Sequence, residues 1–336
     1  MAIVTGTVQT FSMVGIREKL SDVIMNIAPM EVPFTSLCRK ATTQSRTPEW
    51  QRDTLRKPSG VNAQIEGNDI TAATTGTGGQ PDRLKNIVQL FDETVIVSDT
   101  AQKVDAAGRA NELKYQTAKS AKAVKRDIEM SACGNYASAL GNSTTAGKLG
   151  GVETWLVTNT SRGAGGANGG YSGGVTTLAT DGTGRAITET LLKGVIKTAW
   201  DNGGEPETVM VTGKHKQDIS AFTGIATQYN AVDGKAKIVI QGAIDIYRSD
   251  FGMHKIVPNR FMGASASRTP NATTGLYTTG AGALVLTPST WGMTFLQPFT
   301  TIPLARTGHA EKRLLKAELT LVCKEERANG IVADLT

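Results

Sequence analysis

Between Ser45 and Val97 the chain carries two strand-compatible stretches joined by a long polar tip, and this arrangement limits the folds open to it. The outgoing stretch reads SRTPEWQRDTLRK (Ser45 to Lys57) and the returning one LKNIVQLFDETVIV (Leu84 to Val97). In the returning stretch Val88, Leu90 and Ile96 fall on one face of a strand and Phe91, Val95 and Val97 on the other, the period-2 signature of β structure. The tip, Pro58 to Gln80, is rich in Gly, Thr, Ala and Asn and has little to bury. Two strands joined by such a tip predict a protruding hairpin. A compact enzyme rarely carries such an arm, and a loop this long is usually functional.

The elements around the hairpin predict an α+β protein. Ile16, Leu20, Val23, Ile24 and Ile27 share one face of an N-terminal amphipathic helix, stopped by Pro29 and Pro33. Ser98 is placed to cap a short helix ending near Gly108, followed by a longer helix over 109–136. In that helix Leu113, Ala121, Val124 and Ile128 form a narrow stripe, with Lys114, Lys119, Lys122, Lys125 and Arg126 mostly away from it. A narrow stripe suits a helix lying across a sheet, here one made of the last strands of the chain. Loops rich in glycine then run to Gly184, broken by the apolar patch Leu149 to Val157. Thr188 is placed to cap a further helix with Leu191, Leu192, Val195, Ile196, Ala199 and Trp200 on its buried face. Strands are expected from Glu207, Ala236, Met253, Ala283, Trp291 and Arg313, with a short helix from Lys214.

Composition excludes several classes. With 39% apolar and 20% charged residues, the 336-residue chain is of the folded, not the disordered, kind. No apolar stretch is long enough to span a bilayer, and no basic start precedes an apolar run, so neither a membrane partner nor a signal peptide is expected. Cys38, Cys133 and Cys323 are odd in number and widely spaced, which points to free thiols and not to a disulfide framework or zinc site. A net charge of +6 is too mild for a dedicated DNA-binding domain.

Chemistry is hard to find. GNSTTAGKL from Gly141 has one residue too many for a phosphate loop and places Leu149 where Ser or Thr must hold magnesium. GAGGANGG from Gly163 has Asn168 in place of the third dinucleotide-binding glycine, and GASAS from Gly263 ends in Ser267 where a nucleophile elbow needs glycine. His215, His254 and His309 are too far apart to chelate together, and a histidine near Asp218 or Glu311 is expected as a surface hydrogen-bond partner. No catalytic residue, metal or cofactor is therefore expected. In the hairpin Arg46, Trp50, Arg52, Arg56 and Lys57 mix bases with an aromatic, but Glu49 and Asp53 alternate with them, which better suits ion pairs between subunits than nucleic-acid stacking.

The order of elements, together with GIREKLSDVIMNIAPMEVPFTSL, TPEWQRDTL with NAQIEG, and ELKYQTAKSAKAVKRDIEM followed by GN, resembles the major capsid (head) proteins of tailed bacteriophages, with the Hong Kong 97-type fold. The likeness runs from about Gly15 to Asn135 and returns weakly in Glu207 to Phe222 and Ala310 to Leu335; Val32 stands where Thr is expected before the Pro-Phe pair. The resemblance implies an N-terminal arm (1–41), an extended loop (42–97), a peripheral domain (98–186 plus 283–336) holding the spine helix, and an axial domain (187–282). It implies a non-enzymatic virion protein, assembled in the bacterial host cytoplasm as hexamers and pentamers of itself around double-stranded DNA. Further partners are a portal, a scaffolding protein expected to be separate because only a short stretch precedes the first arm helix, and a decoration protein. Ile16, Leu20, Phe34, Arg46, Glu49, Trp50, Arg52, Asp53 and Arg56 are the expected inter-subunit contacts, and Lys114, Lys119, Lys122, Lys125 and Arg126 the basic groups facing DNA. A tail-tube or surface-layer protein and a nucleic-acid-binding protein are the alternatives; the first class tends to be mostly β, against which the long helix argues.

Overall fold

The computed structural model describes residues 32–55, 58, 60, 63, 65–67, 81–104, 111–222, 245–265, 267–272, 274–277 and 282–336. The N-terminal helix with Ile16 and Leu20, most of the hairpin tip, Arg56, Lys57 and the start of the strand expected from Ala236 lie outside them.

In chain order the described elements begin with α1 (Pro33–Leu37), β1 (Arg39–Thr42), β2 (Glu49–Arg52), β3 (Asp82–Lys85), β4 (Gln89–Ser98), α2 (Asp99–Lys103) and α3 (Glu112–Cys133). They continue with α4 (Val152–Trp155), β5 (Thr160–Ser161), β6 (Gly170–Ser172), β7 (Val175–Thr177), α5 (Glu189–Asp201), β8 (Thr208–Val211) and α6 (Gly213–Ser220). The last are β9 (Ile246–Ser249), β10 (Gly252–Pro258), β11 (Ala283–Leu286), β12 (Trp291–Leu304), β13 (Ala310–Cys323) and β14 (Gly330–Val332).

Two sheets organise the molecule: a four-stranded one in the order β1-β12-β13-β4 and a six-stranded one in the order β5-β14-β11-β8-β10-β9. The long helix α3 lies on β4 and β13 of the first sheet, and its buried face is Leu113, Ser120, Val124, Ile128, Glu129, Ala132 and Cys133. The second sheet is covered on both sides in its middle. Val209, Val211 and Val285 pack with Leu192, Val195 and Ile196 of α5, while Met210, Leu284 and Leu286 join the core around α3 and Trp291. This is why TVMV and ALVL are buried at every position: a strand covered on both faces loses its alternation. The pairing of β11 with β8 also crosses position 282, so the stretches 187–282 and 283–336 share one hydrogen-bonded sheet.

The run expected as one strand from Leu84 to Val97 is two. Asn86 is fully buried, and its Nδ2 donates to the Leu321 carbonyl at 2.7 Å while its Oδ1 accepts the N–H of Gly150 at 2.9 Å. These bonds pin the chain and separate β3, the return of the hairpin, from β4, a strand of the body. Val88, expected beside Leu90 and Ile96, is buried at this break, whereas those two stay exposed. The glycine-rich stretch contains a small hairpin, β6–β7, turned through Gly173 and Gly174, both at positive φ as a tight two-residue turn requires. At Gly330 a side chain would collide with Val195 Cγ1 and the Asn159 carbonyl, so glycine there lets β14 close onto α5.

Trp200, expected on the buried face of α5, is 51% exposed and packs on Phe251 with ring centroids 5.2 Å apart. Leu192, Val195, Ile196 and Ala199 fill the covered stripe, and Trp200 falls at its margin.

Candidate assembly surfaces

Glu49, Trp50, Gln51 and Arg52 of β2 pair with Lys85, Leu84, Arg83 and Asp82 of β3, which makes the hairpin a two-stranded ladder separate from the larger sheets. A ladder this short is not stable alone, and its base is tied to the body at few points. The Trp50 indole Nε1 donates to the Cys323 carbonyl at 2.8 Å. Its ring lies 5.6 Å from that of Trp155, which stacks at 5.4 Å on Tyr171 of the glycine-rich hairpin. Arg52 meets Asp82 at 2.8 Å across the ladder and approaches Glu325 of the body at 3.8 Å. Glu49 pairs with Arg83. A cleft of about 390 Å³ remains beside Arg52, Leu84, Trp155 and Tyr171, while Leu84 itself is buried in the body's core with Trp50 packed against it.

Beyond the base, the most exposed large apolar side chains among the described residues are Leu55 (98%), just before the tip, and Ile65 (81%), within it. Sequence reasoning missed both, because each is a lone apolar residue in a polar run. Asp53 and Arg46 are exposed, although Arg46 Nη2 donates to the Gly141 carbonyl at 3.3 Å.

Phe34 corrects one expectation. It is fully buried, edge-on to Trp291 with centroids 5.9 Å apart, and has no surface left for a neighbouring subunit. The main chain that carries it is held by α3: Glu129 accepts the N–H of Phe34 at 2.7 Å and of Thr35 at 2.8 Å, and Asn259 Nδ2 at 2.8 Å. Burial pushes the Glu129 carboxyl above the usual carboxylate range, and the backbone N–H groups of Thr35 and Phe34 pull it back.

On α3, Lys114, Lys119, Lys122 and Lys125 are exposed. Arg126 is not: it is half-buried, with its guanidinium 5.6 Å from the Phe261 ring centre, so its planar group serves packing within the subunit. A second feature invisible to sequence patterns is the nearly buried Glu153, which bridges Arg162 at 3.5 Å and Arg268 at 3.3 Å. With Asp181, a further partner of Arg268, it ties the glycine-rich stretch to the loop after β10.

The histidines also differ from expectation. His215 and His254 are buried; only His309 is exposed. His254 Nδ1 lies 2.7 Å from the Pro206 carbonyl, and Nε2 lies 2.6 Å from Ser249 Oγ, an arrangement that suits the neutral ring. Burial holds both imidazoles below the usual histidine range. All three cysteines are free and buried. Among the described residues no group of His, Cys, Asp or Glu is placed to hold a metal ion, and no helix is long and apolar enough to cross a membrane.

The sequence matches the family profile described as SU10 major capsid protein over residues 3–336. The chain belongs to the SU10 major capsid protein family. Over 116 residues it is 33% identical to the major capsid protein of Escherichia phage Phieco32, an alignment spanning 34% of this chain and about a third (32%) of that protein. The fold is that of solved phage capsids of the Hong Kong 97 type. It is similar to the structure from Gordonia phage Cozz, with TM-score 0.59 and 11% identity over 96% of this chain and 91% of that one. It is likewise similar to the capsid of Cyanophage P-SCSP1u, with TM-score 0.56 and 11% identity over 95% and 93% of the two chains. At such identities the likeness concerns the fold alone. An SU10-family major capsid protein is a structural component of the virion that builds a multimeric shell from copies of itself.

Proposed function

We propose that this major capsid protein assembles as hexamers and pentamers into an icosahedral head that encloses double-stranded phage DNA, in the cytoplasm of a bacterial host. The observation that carries the reading is the β2–β3 hairpin. It lies outside both main sheets, its described ladder is seated on the body through Trp50, Arg52 and Leu84, and beyond the ladder Leu55 and Ile65 are exposed. An element with so little core of its own gains order by burying surface on a neighbour. In this reading 1–41 is the arm and 42–97 the extended loop lying over the next subunit, except that β4 at its end belongs to the body sheet; 98–186 with 283–336 is the peripheral domain and 187–282 the axial domain at the centre of each capsomer, the two joined through the β11–β8 pairing. Ile16, Leu20, Arg46, Glu49, Trp50, Arg52, Asp53 and Arg56 serve contacts between subunits. Lys114, Lys119, Lys122 and Lys125 face the packaged DNA and neutralise phosphate without reading sequence. A portal, a scaffolding protein and a decoration protein are the further partners, and no catalytic step is involved.

The test is electron microscopy with size analysis of the chain expressed alone and with its phage's scaffolding protein. Closed shells of uniform size are expected with the scaffolding protein; uniform shells from the chain alone would remove the need for that partner and leave the capsid reading intact. A chain that stays a small monomer under every assembly condition contradicts the proposal.

A further inference from the structure

β4 is the last strand of the four-stranded sheet, and β13 is its hydrogen-bonded neighbour all along Gln89 to Ser98. In an antiparallel pair every second residue turns its N–H and C=O away from the partner. β4 therefore presents a row of main-chain donors and acceptors on its outer side, and among the described residues no strand pairs with them. Sheet edges are normally blunted by short strands, prolines, lysines or bulges. The other edges here follow that rule. β1 and β9 have four residues each, and the part of β12 beyond β1 carries Pro298, Pro303 and two register shifts. β4 has ten residues, QLFDETVIVS, with no proline, no lysine and no register shift, and its two charges, Asp92 and Glu93, stand in its first half, leaving Thr94–Ser98 without one. Left open, such an edge is an aggregation hazard.

A groove of about 430 Å³ runs beside it, between Glu93–Ser98 and the first turns of α3, with Glu112, Gln116 and Ser120 along the helix side. Val95, Val97 and Leu113 form a small apolar cluster beneath. Ser120 Oγ donates to Glu93 Oε1 at 3.0 Å toward one end, and Ala101 of α2 lines the other. The span from Glu93 to Ser98 is about 17 Å of extended chain, enough for five or six residues. Glu93 and Glu112 make the walls acidic, and no Lys or Arg lines the groove. An occupant must therefore be extended, β-forming and free of acidic groups.

The chain carries such a segment. Residues 2–11, AIVTGTVQTF, are rich in β-branched residues and end in an aromatic, and the first acidic residue of the chain is Glu18. We infer that residues 2–11 of a neighbouring copy add to the outer edge of β4 as a fifth strand, clamping subunits together through main-chain hydrogen bonds. This is strand addition of the kind used in peptide recognition. The added strand covers Ile96, which is 58% exposed in the single chain, by placing a side chain beside it on the same sheet face. The inference rests on the shell reading above.

Amide hydrogen exchange on full-length protein, compared between unassembled subunits and purified shells, tests it. Assembly is expected to slow exchange in Glu93–Ser98 by tenfold or more. A variant lacking residues 2–11 is expected to lose that protection while β8 and α5 exchange as before. Because this variant could fail to close shells, a photoreactive benzoylphenylalanine at Ile96 is read in shells co-assembled from light and ¹⁵N-labelled copies. Adducts to residues 2–11 of the other isotopic copy support the inference. It is overturned by unchanged exchange at 93–98 in shells seen intact by microscopy, or by adducts confined to the same copy or to another segment. If no shells form, the shell reading and this inference fall together.

Discussion

The Glu129 carboxylate, buried at the C-terminal end of α3, accepts the backbone N–H of Phe34 at 2.7 Å across 95 residues of sequence. The same carboxylate holds Thr35 N–H and Asn259 Nδ2. One side chain thus joins the segment of Phe34 and Thr35, the spine helix and the loop after β10.

Glu129→Ala leaves two backbone N–H groups and one amide without acceptors in the core, and it is expected to cost about 2–5 kcal/mol. Glu129→Gln keeps one oxygen but turns an NH₂ toward a donor, so a smaller loss is expected. Urea unfolding of the unassembled subunit followed by tryptophan fluorescence gives both values. Equal stability of Glu129→Ala and the parent would show that the arm root is held by other contacts.

The hairpin base offers a finer probe. Trp50→Phe removes the bond to the Cys323 carbonyl but keeps an aromatic ring near Trp155. The expected loss is about 1 kcal/mol in global stability, with faster amide exchange in β2 and β3 and little change in β8. Uniform acceleration across the chain would mean that the hairpin is not a separately held element.

Removing residues 58–80 tests what the tip does. Since the described residues of the tip are all exposed, this deletion is expected to leave the circular dichroism and melting of the subunit nearly unchanged while shell yield collapses. Normal shells from the shortened chain, counted by electron microscopy, would take the hairpin out of the assembly interface.

Sequence reading captured what depends on neighbours along the chain. Ser98 and Thr188 cap their helices through hydroxyls accepting from Ala101 N–H and Leu191 N–H, and such bonds span only three residues. Phe91, Val95 and Val97 face inward and Leu90 and Ile96 outward, as alternation required. The failures are long-range. Nothing local to Asn86 announces that its amide meets Leu321, 235 residues away, and breaks the strand there. Phe34 belongs to the core because Trp291 comes to meet it, Trp200 lies at the margin of a stripe whose width only packing decides, and the Glu153 cluster unites three segments with no shared motif. For the assembly surfaces, the basic positions on α3 were readable from helical period; the loss of Arg126 to Phe261 was not.

Acid is expected to loosen the half of the molecule built on α5 and α6. His215 and His254 have folded values held below the ordinary 6.5 or so of a free histidine by burial. Below that value the unfolded chain binds protons that the folded chain resists, so stability rises with pH in this window. The contribution is full above about pH 6.5 and is lost progressively as pH falls below it. Melting temperature measured from pH 7.5 to pH 5 should therefore drop, and the slope should be shallower in His254→Gln, whose side chain carries no titrating group. A variant slope equal to the parent's would exclude His254 as a source of the acid sensitivity.

The lysines of α3 provide the last test. Replacing Lys114, Lys119, Lys122 and Lys125 together by Gln leaves the buried stripe untouched, since all four are exposed. Folding and shell closure are therefore expected to persist. If these side chains meet packaged DNA, each lost phosphate contact reduces the salt dependence of binding by about 0.9 in the slope of log K against log salt. The slope should fall by up to about 3–4 for the four together, and filled heads should release DNA at lower ionic strength or temperature than parental heads. Titrating labelled duplex DNA against both proteins at several salt concentrations measures the slope directly. An unchanged slope together with normal DNA retention would turn this face of α3 away from the genome and leave it as a solvated flank of the shell wall.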